Sequence, residues 1–553
     1  MTARTPLVFS GGVIRTMDPA APRAEAVAVD GSGILAVGRL DDVRSRAGRA
    51  EQIDLQGRLL LPGFIDAHNH YLATGESMAS VDVRYPVVDS VGKLVSAIAA
   101  AAAKTPPGQW IRAWGFDHAK YRERRAPSRW DLDRATTRHP VAVSHVSGHY
   151  ALVNSLVLSQ QGIDEFAPDP PGGTFVREPD GRLTGLCQDA AMGLVLPVAV
   201  DIGSHGPNFH TMAPLGDLVS AAERAGRAFL AAGLTTVCDA QVTSRELEAY
   251  REARRVGRLP VRTVCMPLSH QLDSYQSIGM VGPFGDDWLS IGAMKFYADG
   301  SLIGGTAAFS APYGEHGEFR GVLYWEPEAF RAAISQAHQS GWQIGVHAQG
   351  DRAIGMTLDA LGAACAAHPR PDPRHRIEHA GFPTAAQIAR MAELGIVTIN
   401  QPTYLHDSGD EFRLRLRDRA DRLLPLREEV DCGVTVVLSS DSDVASFRPL
   451  DTIANAVRRT TASGSVIGAS QRLSVHEALR AHTADAAFAL HRERDIGSIE
   501  VGKLADLVVL ERDLVGLPAS EIPGVPVWMA VVNGAIVHQA ADSSGGDAGM
   551  YRP

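Results

Sequence analysis

The chain has 553 residues, 45% of them hydrophobic, and its 53 Lys and Arg against 63 Asp and Glu give a net charge of −10. That length exceeds what one core usually organises, and the mild acidity argues against a nucleic-acid partner or attraction to an anionic membrane. The start MTARTPLVFSGG lacks the pattern of a secretory leader, no run of about 18 apolar residues suggests a membrane span, and the five scattered cysteines have no CxxC spacing. A reducing cytoplasm is the expected compartment.

Residues 6–60 read as short strands, Leu7–Phe9, Val13–Met17, Ala26–Val29 and Ile34–Val37. Gly11-Gly12, Asp18-Pro19 and Asp30-Gly31 punctuate them. The stretch Leu59–Leu72, LLLPGFIDAHNHYL, then ends a buried run in His68 and His70. Residues two apart in a strand point to one side, so the two imidazoles are aimed together, a geometry suited to a divalent metal. From about 80 to 215 the pattern is irregular and rich in aromatics, among them Trp110, Trp114, Phe116, Tyr121, Trp130 and Tyr150. A structureless loop of that length does not suit a compact domain, so an inserted subdomain on the substrate-facing rim is expected.

Beyond 215 helical and strand patterns alternate. Leu218, Ala222, Ala225 and Phe229 keep helical spacing, and strands are expected at 234–239, 261–266, 291–298, 343–347, 376–379, 397–400 and 435–440. With the His68 strand these make about eight in β-then-α order. The far end returns to short strands at Ile499–Val501, Leu507–Leu510, Met529–Val532 and Ala535–Val537. The expected fold is α/β: a (β/α)8 TIM-like barrel over 61–490 with its insert after the first strand, and a small β-sandwich built from 1–60 and 491–553.

The polar residues fall at the strand ends that carry active sites in such a barrel. Lys295 interrupts IGAMKFYADGS, His347 ends VHAQGD, His379 ends RIEHA and Asp441 ends LSSDS. A lysine among metal ligands makes sense once burial and nearby cations depress its pKa, because the neutral amine can take up CO2 as a carbamate that bridges two cations. Nitrogen-rich ligands favour zinc.

The ordered set PGFIDAHNH, MKFYADGSL, VHAQGD, RIEHA and SSDS resembles the amidohydrolase superfamily. In particular it resembles amidohydrolase family 3, the YtcJ-like group that includes N-substituted formamide deformylases. SGHYALVNSLVLSQQGI at 147–163 belongs to the same resemblance. It implies two divalent ions: one on His68, His70 and Asp441, the other on His347 and His379, with carbamylated Lys295 between them. It further implies hydrolysis of a small-molecule amide by a water activated between the ions, with Asp441 as proton shuttle. His145 and His149 are candidate rim donors, and Trp114 and Phe116 candidate substrate contacts. Hydrolysis of an ester, lactone or cyclic amide would use the same site, as would a lyase or decarboxylase. A mononuclear deaminase fits less well, since HAQGDRAI holds no Glu and Lys295 would be superfluous. A non-catalytic interaction protein would not need all six residues. A homodimer is kept open as one assembly.

Overall fold

The structure, a computed structural model, describes residues 5–314 and 319–540. The end of the expected C-terminal unit, 541–553, lies outside the described residues. Strands of both ends share one eight-stranded sheet. Leu507–Leu510 runs antiparallel to Leu59–Pro62, with Val508 opposite Leu61, and this pairing joins the C-terminal strands to the N-terminal ones. The sheet buries Phe9, Val27, Leu60, Leu507, Val509 and Val531 in one cluster drawn from both ends.

Two expectations for this sheet are corrected. Gly11-Gly12 does not separate two strands: Leu7–Arg15 is a single strand whose register shifts between Ser10 and Ile14, a bulge that Gly11 permits with φ of 77°. Ile499–Val501 is not a strand, although Ile499 is buried and donates its N–H to the Thr16 carbonyl.

Among the described residues eight strands then run parallel in succession, with the short Leu289–Ile291 also parallel beside the third of them. They are β1 (Phe64–Asn69), β2 (Leu234–Val242), β3 (Arg262–Pro267), β4 (Met294–Tyr297), β5 (Ile344–Ala348), β6 (Arg376–His379), β7 (Val397–Asn400) and β8 (Thr435–Leu438). β1 to β3 pair in one sheet and β4 to β8 in another. A parallel bridge from Leu268 to Lys295 carries β3 to β4, and bonds from Asp441 N–H to the His68 carbonyl and from His70 N–H to the Ser442 carbonyl carry β8 back to β1. The order is therefore a closed circuit. Continuous burial along these strands matches a parallel sheet covered by helices. The helix Leu215–Ala231 lays Leu218, Ala222, Ala225 and Phe229 inward, and Ser244–Arg255 starts on a capping box of Thr243 and Glu246.

Between β1 and β2 lies a six-stranded sheet. It begins at Val81–Asp82 and its sequence-last strand is Leu183–Asp189. The helix Val91–Ala102 packs Leu94 and Ile98 with Phe116, Tyr121 and Leu132 into a separate core. Among the described residues no helix is long and apolar enough to cross a membrane.

Gly63 marks the exit from the terminal sheet into β1. A Cβ there would lie 2.2 Å from Thr235 Oγ1, so only glycine lets the chain pass that close to β2. A buried ion pair latches the two units. Arg262 on β3 reaches Asp506 through Nε at 2.6 Å and Nη2 at 3.0 Å, and the Asn533 N–H also donates to Asp506. Removing one partner of such a pair strands the other without water. Arg262→Ala should therefore lower unfolding free energy by about 3–5 kcal/mol. Denaturant unfolding checks the figure, and a loss below about 1 kcal/mol would remove the pair as the latch.

Candidate metal centre

Each expected ligand sits at or just beyond the C-terminal end of a parallel strand or within it, and all are buried. His68 and His70 follow one another around the end of β1, with rings 5.6 Å apart. Asp441 follows β8, its Oδ1 3.3 Å from His68 Nε2 and 3.1 Å from His70 Nε2. The rings of His68 and His379 are 4.9 Å apart, and those of His347 and His379 4.5 Å. Lys295 on β4 is fully buried, with Nζ 4.6 Å from the centre of the Tyr297 ring. Among the described residues His68, His379 and Asp441 form a set able to hold one ion, with ligand atoms all within 4.8 Å of one another. That trio crosses the expected division into two half-sites.

Partners behind the ring fix which nitrogen faces inward. Glu378 accepts from His68 Nδ1 at 2.6 Å, so the lone pair is left on Nε2. Gln401 uses its amide nitrogen on Ser439 Oγ, and its oxygen therefore accepts from His379 Nδ1 at 2.8 Å. The Gly300 carbonyl accepts from His347 Nε2 at 3.1 Å, which leaves the lone pair on Nδ1. Arg376 grips Glu378 through two bonds of 2.8 and 2.9 Å. The Tyr404 hydroxyl donates to Asp441 Oδ2.

Burial pushes the Lys295 ammonium down to about 8, against the opposing pull of Glu378 and Asp441. Burial likewise keeps His379 down at about 3 and His347 well below the usual imidazole range. For Asp441 burial works the other way, but the imidazoles of His68 and His70 overcome it and hold the carboxyl well below the carboxylate range. Neutral His347 and His379 beside an ionised Asp441 are protonation states that suit a divalent ion. The backbone is strained at two of these residues, with φ of 74° at His379 and 54° at Asp441.

The fit to a cation can be tested on the protein itself. His68 Nε2, His70 Nδ1, Lys295 Nζ and Asp441 Oδ1 are buried polar atoms without a hydrogen-bond partner. Stranding such atoms is costly unless something binds them. Imidazole nitrogens and a carboxylate suit zinc, and an amine with no partner suits conversion to a carbamate. Asp299 does not pair with Lys295. It accepts backbone N–H groups of Ala308, Gln349 and Gly350 at 2.7 to 3.0 Å.

Above the ring is a cavity of about 110 Å³ whose floor includes His70, His347, His379 and Asp441. Trp110, Trp114 and His149 enter its wall from the insert. The two other residues expected here do not reach it. Phe116 is fully buried in the insert's own core, and His145 faces a separate cavity with Asp117 and Arg415. The reason for Phe116 is a bulge. Register slips between Trp114 and Phe116, with Gly115 at φ of 94°, so the two aromatics fall on different faces despite their even spacing. Between His145 and His149 the chain turns at Gly148, with φ of 70°.

Sequence reasoning missed Glu378, Arg376, Gln401 and Tyr404. The Arg376–Glu378 pair had a signal, since opposite charges two apart in a short apolar strand point to a buried pair.

The sequence profile of the amidohydrolase family matches residues 51–538. The chain is 30% identical to the N-substituted formamide deformylase of Arthrobacter pascens, over 98% of this chain and 100% of that protein. It is 28% identical to the putative amidohydrolase YtcJ of Bacillus subtilis, over 96% and 99% respectively. Its fold matches a crystal structure of an uncharacterized metal-dependent hydrolase from Pyrococcus horikoshii with a TM-score of 0.75, at 23% identity, covering 93% of this chain and 99% of that one.

Gln401→Leu should weaken metal binding about 10–100-fold by freeing the His379 ring, and Gln401→Glu, which keeps the acceptor but loses the donor to Ser439 and sets a buried carboxylate against the Ile399 carbonyl, should fall between it and wild type. Competition against a chelator of known affinity measures both, and an unchanged affinity in the Leu variant would remove Gln401 from the centre.

Proposed function

The chain belongs to the amidohydrolase family, and we propose that it is a metal-dependent hydrolase of N-substituted formamides or related N-acyl amines. As a member it is an enzyme acting on carbon–nitrogen bonds other than peptide bonds. The reading takes the fold as a (β/α)8 barrel whose strand ends hold two divalent ions, most simply zinc. The observation that carries it is the set of buried polar atoms without hydrogen-bond partners on His68, His70, Lys295 and Asp441, of which His70 and Asp441 line the cavity floor. The likeness to a formamide deformylase along nearly the whole chain supports the substrate class. The free cysteines among the described residues support a reducing, cytoplasmic setting.

His68, His70, His347, His379 and Asp441 would hold the ions, with Lys295 bridging as its carbamate. When bound, such ions supply Lewis acidity to a carbonyl and to water. The chain's own residues do the rest. Asp441 accepts the Tyr404 hydroxyl at Oδ2 and would share its carboxylate between an ion and the proton of attacking water. In that role the carboxyl would then return the proton to the departing nitrogen. Trp110, Trp114 and Phe209 give the cavity apolar walls that exclude water and seat the substituent. Ester or lactone hydrolysis would need only the first half of this sequence, since an alcohol leaves more readily than an amine.

Screening N-substituted formamides, N-acyl amines, esters and lactones against the zinc-loaded protein tests the reading. Turnover of esters alone would replace the amide assignment. In the same assay Asp441→Asn should keep most of its metal but lose about 10²–10⁴ in rate. Activity within about threefold of wild type would move the shuttle elsewhere. Lys295→Arg should lose metal and activity together, because a guanidinium forms no carbamate. A near-normal Lys295→Arg enzyme would rule out the bridge.

A further inference from the structure

His149 is held by a relay of its own. Its Nδ1 lies 2.6 Å from Asp189 Oδ1, and the Tyr324 hydroxyl donates to that same oxygen at 2.6 Å. All three residues are buried. Asp189 is also tied through the backbone, since its N–H donates to the His149 carbonyl at 2.8 Å, and it sits in the left-handed region with φ of 51°. A carboxylate only accepts, so the ring proton of neutral His149 is on Nδ1. The other nitrogen, Nε2, makes no hydrogen bond among the described residues, and the ring lines the cavity 5.7 Å from that of His347. The rim histidine expected as a donor is thus an acceptor in its neutral form.

We propose that His149 Nε2 accepts the N–H of the scissile amide and so selects substrates whose nitrogen still carries a hydrogen. The inference rests on the amide-hydrolase reading and narrows it. N-monosubstituted amides pair with the lone pair, whereas N,N-disubstituted amides and esters present no hydrogen to it. A site built to pair with a substrate N–H rejects analogues lacking one, because its buried polar atom is then left alone.

The test compares an N-alkylformamide with its N-methyl derivative and with the alkyl formate ester of nearly the same shape. Preferences are read as changes between variants, so intrinsic reactivity cancels. The wild-type, zinc-loaded enzyme should favour the secondary over the tertiary amide by at least about tenfold in kcat/KM. His149→Phe should lose that preference and gain relative activity on the ester while keeping its full metal content. Asp189→Asn is the discriminating variant. Its amide can donate to Nδ1 and so move the ring proton to Nε2, which should turn the preference toward the tertiary amide and the ester. Nitrogen NMR of 15N-histidine-labelled protein should report that tautomer reversal without turnover. An unchanged preference in His149→Phe overturns the inference, as does loss of one metal equivalent, which would make His149 a ligand. If wild type hydrolyses no amide, the hydrolase reading fails, but binding of the two amides can still be followed by the fluorescence of Trp110 and Trp114. Equal affinities then overturn the N–H recognition, and a secondary-amide preference abolished in His149→Phe upholds it.

Discussion

Everything at the mouth of this strand circuit answers to one constraint, the burial of a lysine and a carboxylate among histidines with no solvent to share. Lys295 is fully enclosed, and its Nζ, His68 Nε2 and Asp441 Oδ1 lack hydrogen-bond partners within the protein. Such an arrangement is unfavourable unless a cation supplies the missing interactions. The neighbouring residues limit the cost by removing choices. Glu378, Gln401 and the Gly300 carbonyl each take one nitrogen of a histidine, so the remaining nitrogen can face only one way. The ring is therefore arranged before any ion arrives, and little ordering entropy is left to lose on binding.

Holding that arrangement falls to the fold. His379 and Asp441 occupy backbone conformations that side chains other than glycine seldom adopt. They persist because strands on either side determine them, and the bond from Asp441 N–H to the His68 carbonyl closes the circuit at the site itself. Underneath, the Arg376–Glu378 pair reaches the Ala67 carbonyl, so a charge pair in the interior also ties β6 to β1. The terminal sheet is anchored to the same strands through Arg262 and Asp506.

Much of this could be read in the sequence because a parallel strand puts its chemistry at its own end. His68, His347, His379 and Asp441 were each marked by an apolar run that stops, and the order of the runs gave the order of the strands. Which histidine each orienting partner serves was not legible, because the two come from separate parts of the chain. Gln401 lies 22 residues beyond His379, Asp189 lies 40 beyond His149, and Glu378 lies 310 beyond His68. In the insert even local reasoning failed. Regular alternation puts Trp114 and Phe116 on one face, and the single slip at Gly115 separates them. A bulge leaves little trace in composition, since a glycine in a strand can equally mark a tight bend or the close approach of another backbone. His145 and His149 share the motif HVSGHY, yet face different cavities on either side of Gly148.

The two halves of the cavity therefore carry different information. Its floor is made by strand ends and carries the chemistry proposed here, since histidines with fixed tautomers leave few alternatives. Its wall is made by the insert and states what is admitted, through apolar surfaces and one oriented imidazole. A change in the insert can alter admission without touching the floor, because Trp114 and His149 are carried by a sheet with a core of its own. A floor change cannot be contained in the same way, because His68, His379 and Asp441 share neighbours across three strands. That asymmetry explains why motifs at the strand ends identify a reaction class while leaving the substrate open. It also places the residues proposed to select the substrate on the far side of the cavity from the proposed metal ligands.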